Sequence, residues 1–200
     1  MASKQWTRNY DNLFAYVYGV DREASVTPMF RRMEGDYVKG FVGTSSTTTS
    51  PKANACHSLS MPYTWSYLSS ATSKDSSVYT YIQLGSGNTP VSYDGYALGS
   101  PITSNMKLTT ANTEHSYEYD EATQTYTQKV KMLISYSGTE TITVGEFGVF
   151  LCYPVNTSSN YPVLVYHETL DAPVTLNAGD TIDIRFTRSI VQPSHIMSPN

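Results

Sequence analysis

The chain is 200 residues long, with 15% charged residues and a formal net charge of −4. That length suits one domain, or one domain with an appended subdomain, and can bury a sizeable core without disulfide or metal staples. The charge balance excludes the clustered Lys and Arg of a nucleic-acid wrapper, and no apolar run approaches the ~18 residues of a membrane-spanning helix.

Residues 3–18 carry a helical pattern. Trp6, Tyr10, Leu13, Phe14 and Val17 fall on one face, with Ser3 as the N-cap and Gly19 as the C′ stop. This is the one convincing helix of the chain, expected to lie on its own sheet or to dock as an arm on a neighbour. The opening MASKQWTRNY has no apolar signal-peptide region, so the chain is expected to be made and assembled in a cytoplasm. Residues 20–75 are poor in pattern, and the Ser/Thr-rich stretch FVGTSSTTTSPKANACHS reads as a long loop. MPYTWSYLSS, at 61–70, offers a short strand carrying Trp65.

VYTYIQL, at 78–84, alternates as a strand should: Val78, Thr80, Ile82 and Leu84 share one face. It ends at GSGNTP, and VSYDGYALGSPI, at 91–102, reads as an ordered loop built on turn residues. Residues 115–136 predict a hairpin turning near Asp120–Thr123. In TITVGEFGVFL, Ile142 and Val144 are apolar at even positions, but Phe147, Val149 and Leu151 at odd ones. That parity switch predicts a β-bulge near Gly145–Glu146, unless the strand is buried on both faces. TIDIRFTRSI keeps parity, with Ile182, Ile184, Phe186 and Ile190 inward, and Asn177–Asp180 is the turn feeding it. Pro162 and Pro173 are expected at strand starts or edges. The expected fold is mostly β: an antiparallel β-sandwich, jelly-roll or immunoglobulin-like, with one short N-terminal helix. It divides into a helix or arm over 1–20, a loop-rich segment over 21–75, a core over 76–190 and a flexible tail over 191–200.

Candidate chemistry is thin. Gly85–Ser86–Gly87 follows a strand but lacks the later glycine, the Lys-Ser/Thr pair and the following helix of a phosphate loop. No G-x-S-x-G elbow occurs. His57, His115, His167 and His195 are scattered without ligand spacing, so no metal site is expected. Cys56 and Cys152 read as free thiols rather than a disulfide framework. Glu114, Glu118, Asp120 and Glu121 read as a solvated hairpin. Glu146, alone inside an apolar strand, is expected to face solvent or to pair with Arg185 or Arg188; an enzyme reading would make it a glycosidase carboxylate. No catalytic, cofactor-binding or metal-ligating residue is assigned. The 17 Tyr against 6 Phe suit half-buried strands and protein interfaces alike.

Three segments together carry a resemblance: WTRNYDNLFA at the start, IQLGSGNTPVSYDGYALGSPI in the middle, and ITVGEFGVFL with PVLVYHETLDAPVTLNAGDTIDIRF at the end. They resemble a family of virion structural proteins of tailed phages of gut bacteria, the crAss-like group included. The pattern covers most of the chain except 40–75, and has Arg where this chain has Tyr166-His167. The resemblance implies a capsid decoration or head-fibre base, or a tail component. Its partners would be major capsid or tail proteins and further copies of itself, without nucleic acid or membrane, and its location the virion. The loop at 40–60 and the tail from Val191 would be arms ordered in the particle. A receptor- or carbohydrate-binding module of a tail fibre is the second expectation.

Overall fold

The computed structural model describes residues 4–12, 29–39, 65–70, 80–109, 114–156 and 159–191. Among these the chain is mostly β, with two main sheets and one short helix. The strands are β1 (Lys4–Trp6), β2 (Met29–Arg31), β3 (Tyr37–Lys39), β4 (Trp65–Tyr67), β5 (Thr80–Gly85), β6 (Met106–Leu108), β7 (Glu114–Asp120), β8 (Thr125–Tyr136), β9 (Ile142–Asn156), β10 (Ser159–Leu176) and β11 (Thr181–Val191). A five-stranded sheet runs β1-β10-β9-β5-β4, and a second sheet runs β11-β8-β6, with β7 also on β8. A small ribbon pairs β2 with β3. No helix among the described residues is long and apolar enough to cross a membrane.

One core takes side chains from both main sheets. Ile82, Leu84, Val149 and Val163 face it from the first; Met132, Ile134, Ile184 and Phe186 face it from the second. β11 obeys the sequence parity: Ile182, Ile184 and Phe186 are buried, and Thr181, Asp183, Arg185, Thr187 and Ser189 are exposed. The hairpin also forms where expected, β7 on β8, with Asp120 Oδ1 accepting from the amides of Ala122 at 2.9 Å and Thr123 at 3.3 Å. Gly179 takes φ +87° in the turn before β11, a conformation that favours glycine.

The five-stranded sheet is buried on its other face too. Tyr81, Leu98, Phe150 and Leu164 make a second apolar cluster there. Val144, Phe147, Val149 and Leu151 nevertheless all reach the main core, so the face does change parity between Val144 and Phe147. The ladder shows the irregularity at the same place: Glu146 pairs with Thr169 and Val144 with Val174. Gly145 therefore stands opposite four residues of β10, among them Pro173, which has no ladder partner among the described residues. Pro162 lies where β10 has β9 but, among the described residues, no strand on its other side.

Three expectations are corrected. The first helix does not run from residue 3. Lys4–Trp6 is β1, antiparallel to β10, and helix α1 covers residues 8–12, with 13–18 outside the described residues. The physical reason is that a short helix gains little from its own hydrogen bonds, whereas pairing with β10 seats Trp6 against Tyr166 and Phe186 at 5.2 and 5.6 Å between ring centres. Second, residues 29–31 and 37–39, where the pattern offered no strand, form β2 and β3, whereas β4 stands where a short strand carrying Trp65 was expected. Third, the first sheet is not wholly antiparallel: β4 lies parallel to β5, which requires a crossover rather than a tight hairpin between them. The loop at 40–60 and the residues after Val191 lie outside the described residues.

Candidate functional site

The parity change in β9 decides where Glu146 points. With Phe147 turned into the main core, Glu146 faces the opposite side of the sheet, beneath the 86–101 loop, and it is fully buried. A buried carboxylate is stable only when its oxygens are satisfied. Three donors do this. His167 Nε2 lies 2.8 Å from Oε2, the Ser100 amide donates to Oε1 at 2.9 Å, and the Gly99 amide donates to Oε2 at 3.3 Å. An ionised carboxylate only accepts, so Nε2 must carry the hydrogen in this contact. Burial pushes the Glu146 pKa up, but the hydrogen bond from His167 and those from the two amides outweigh it and hold it below the ordinary value.

Glycines make the space. A Cβ on Gly85 or Gly87 would stand 2.6 or 2.5 Å from Glu146 Oε1, and one on Gly145 would stand 2.4 Å from the Gly87 carbonyl. The Gly85–Ser86–Gly87 turn thus wraps a carboxylate of its own chain. The loop neck is stapled from the core side as well. Tyr67 Oη donates to the Ile102 carbonyl at 2.8 Å and accepts from the Leu84 amide at 3.1 Å, and burial pushes its phenol up to about 12. Gly145→Ala is expected to push the 86–88 backbone off β9 at a cost of about 1–3 kcal/mol, read by chemical denaturation. An unchanged denaturation midpoint would show that the loop yields freely.

The expected partners of Glu146 are elsewhere. Arg185 pairs with Asp183 at 3.1 Å on the exposed face of β11. Arg188 donates to Tyr10 Oη and lies 5.8 Å from the centre of the Trp6 ring. Both arginines belong to the other sheet, whereas Glu146 faces away from it. The acidic group of the hairpin is solvated as expected: Glu118 pairs with Lys129 at 2.8 Å and Glu114 with Lys131 at 2.9 Å. His115 lies on β7, where burial lowers its pKa. His57, His195 and Cys56 lie outside the described residues. No group of three His, Cys, Asp or Glu side chains able to hold a metal occurs among the described residues.

No family model, no curated protein and no solved structure matches the chain. What the motif residues do must therefore be read from their contacts. β10 carries an extra residue, Val165, between Leu164 and Tyr166, and the Leu164 carbonyl at this bulge accepts from Thr7 Oγ1 at 2.5 Å and Asn9 Nδ2 at 3.2 Å. Asn9 also exchanges both amide hydrogen bonds with Arg31, through its carbonyl at 2.9 Å and its N–H at 2.8 Å. Arg8 reaches the middle segment, pairing with Asp94 at 2.6 Å, and Tyr93 donates to Asp11 at 2.7 Å. The middle segment in turn donates Gly99 and Ser100 to Glu146. All three sequence segments meet on the outer face of the five-stranded sheet, where their polar groups bond to one another.

Thr7, Asn9 and His167 were not assigned roles by sequence reasoning. Their function is to satisfy backbone or carboxylate groups made available by two bulges, and bulges are long-range events. The signal that existed was the run of glycines from 85 to 99 together with one carboxylate inside an apolar strand. A different kind of surface lies at the hairpin tip. Tyr117, Tyr119 and Tyr126 are 44%, 48% and 39% exposed there, and the rings of Tyr117 and Tyr126 lie 5.9 Å apart.

Proposed function

We propose that this chain is a virion structural protein of a tailed phage, an auxiliary capsid, head-fibre or tail component. It would act through protein–protein assembly, on a β-sandwich of jelly-roll or immunoglobulin-like kind. The observation that supports this reading is the convergence of the three motif segments. Their distinctive residues, Thr7, Asn9, Gly99, Ser100 and Glu146, bond to one another and to the sheet rather than converging on a reactive group. A pattern with that role describes a scaffold. Assembly would use exposed tyrosine and strand edges, in contact with other virion proteins and further copies of the chain. The 11-residue β11, paired only with β8 among the described residues, offers such an edge. The test is labelled imaging and mass quantification of purified virions. Incorporation at a fixed copy number at one location supports the reading; absence from the particle overturns it.

The alternative is a receptor- or carbohydrate-binding module of a tail fibre. The paired Tyr117 and Tyr126 rings favour it, because exposed aromatic faces can stack on sugars. Under this reading Tyr117→Ala and Tyr126→Ala each remove binding on a glycan array. Equal array signals for the variants and the parent protein exclude this role for the pair.

A further inference from the structure

Beside the backbone bonds that close its neck, from the Ser86 amide to the Ser100 carbonyl and from the Ile102 amide to the Leu84 carbonyl at 2.8 Å each, the 86–101 loop is held from both faces of the sheet, and these two holds differ in kind. On the core side Tyr67 bridges Leu84 and Ile102 through a phenol that stays neutral throughout the acid range. On the outer side the hold on Gly99 and Ser100 is a carboxylate. We propose that Glu146 is an acid-released latch, whose protonation releases the Gly99 and Ser100 amides and loosens the 86–101 loop while the two sheets remain folded.

The geometry requires a consequence of protonation. All three groups facing the carboxylate are N–H donors: His167 Nε2 from β10 and the amides of Gly99 and Ser100 from the loop. Protonation takes up one lone pair and removes the charge that strengthens the bonds from all three donors, so the hold on the Gly99 and Ser100 amides weakens. β5 contributes Gly85 and the loop contributes Gly87, neither of which titrates. Among the described residues His167 is the titratable group in contact with Glu146. The sign of the linkage follows from the depressed carboxyl. The stabilisation is complete above the ordinary carboxylate value of 4.5 and is lost as pH falls through the lower folded value.

Release has a defined reach. The loop tip holds α1 through Arg8 and Asp94, and holds the β2–β3 ribbon through Tyr96, whose ring centre lies 3.8 Å from the Arg31 guanidinium carbon. Loosening the loop thus uncouples the surface made by these three pieces.

The test is amide hydrogen exchange on the full chain, as protection factors corrected for intrinsic pH dependence, from pH 7 down to 3. Gly99 and Ser100 are expected to lose protection by roughly ten- to hundredfold on the acid side, while Met132 and Ile134 in β8 stay protected. In Glu146→Gln the two loop amides should already exchange faster at pH 7 and show no further acid loss. His167→Gln, which keeps a side-chain N–H, should retain the acid response. The latch is overturned if loop and β8 amides lose protection together. It is also overturned if Gly99 and Ser100 stay protected throughout, or if the acid response survives in Glu146→Gln or disappears in His167→Gln. Should Glu146→Gln not fold, the parent and His167→Gln profiles decide alone.

Discussion

Replacing Glu146 with alanine is expected to remove about 3–5 kcal/mol of folding stability. The side chain is fully buried, and its loss leaves the His167 ring and the Gly99 and Ser100 amides without their acceptor. Glycines built around a carboxylate cannot close the gap, because the backbone at Gly85, Gly87 and Gly145 is already in contact. Glu146→Gln keeps the shape and one acceptor oxygen but turns an NH2 toward donors, so its cost should be smaller, about 1–3 kcal/mol. Against a total of roughly 5–15 kcal/mol for an ordinary domain, the alanine variant sits near the threshold for folding. Urea denaturation at pH 7 measures both, and a loss below about 1 kcal/mol for Glu146→Ala would contradict this account. The result also separates two roles for the residue. A glycosidase carboxylate predicts lost hydrolysis with the fold intact, whereas the observed contacts predict a lost fold first.

Local pattern made much of the sheet architecture legible. The β7–β8 hairpin, the Asn177–Asp180 turn and the alternation of β11 all depend on residues close in sequence, and each formed where the pattern placed it. The parity break at Gly145–Glu146 was also readable, because a strand must show one face every second residue. What the break achieves was not. Solvent or arginine was a reasonable expectation for a strand glutamate, but the second buried face of the sheet depends on Leu98 and Leu164 arriving from distant parts of the chain. The N-terminal error has the same origin. Trp6 and Tyr10 do share a helical spacing, yet Trp6 is fixed by rings on β10 and β11, and their proximity has no trace in residues 3–18. The parallel pairing of β4 with β5 was invisible for a related reason, since Trp65–Tyr67 is too short to show any direction preference.

The second large effect is expected at Phe186, where the two sheets and the N-terminus are joined. Phe186 is 1% exposed and comes from β11 in the four-stranded sheet. Its ring meets Tyr166 of β10 at 4.8 Å and Trp6 of β1 at 5.6 Å between centres, both edge-on, as interacting ring quadrupoles prefer. Phe186→Ala should cost about 3–5 kcal/mol, from lost transfer energy plus the cavity left among rings that cannot collapse. At roughly 2–4 °C per kcal/mol for a chain of this size, the melting temperature should fall by about 6–20 °C. The same variant carries a local reporter. The chain has 2 tryptophans, and the other, Trp65, is buried in β4. Removing Phe186 should therefore change the emission of Trp6 in the folded protein at low denaturant, and a Trp6→Phe background should abolish that change. If Phe186→Ala lowers stability without altering Trp6 emission, the aromatic contact between β1 and β11 is not what seats the N-terminus. Pairing with β10, the Thr7 and Asn9 bonds at the Leu164 carbonyl, and the Arg8–Asp94 and Tyr93–Asp11 contacts would then hold it without that ring pair.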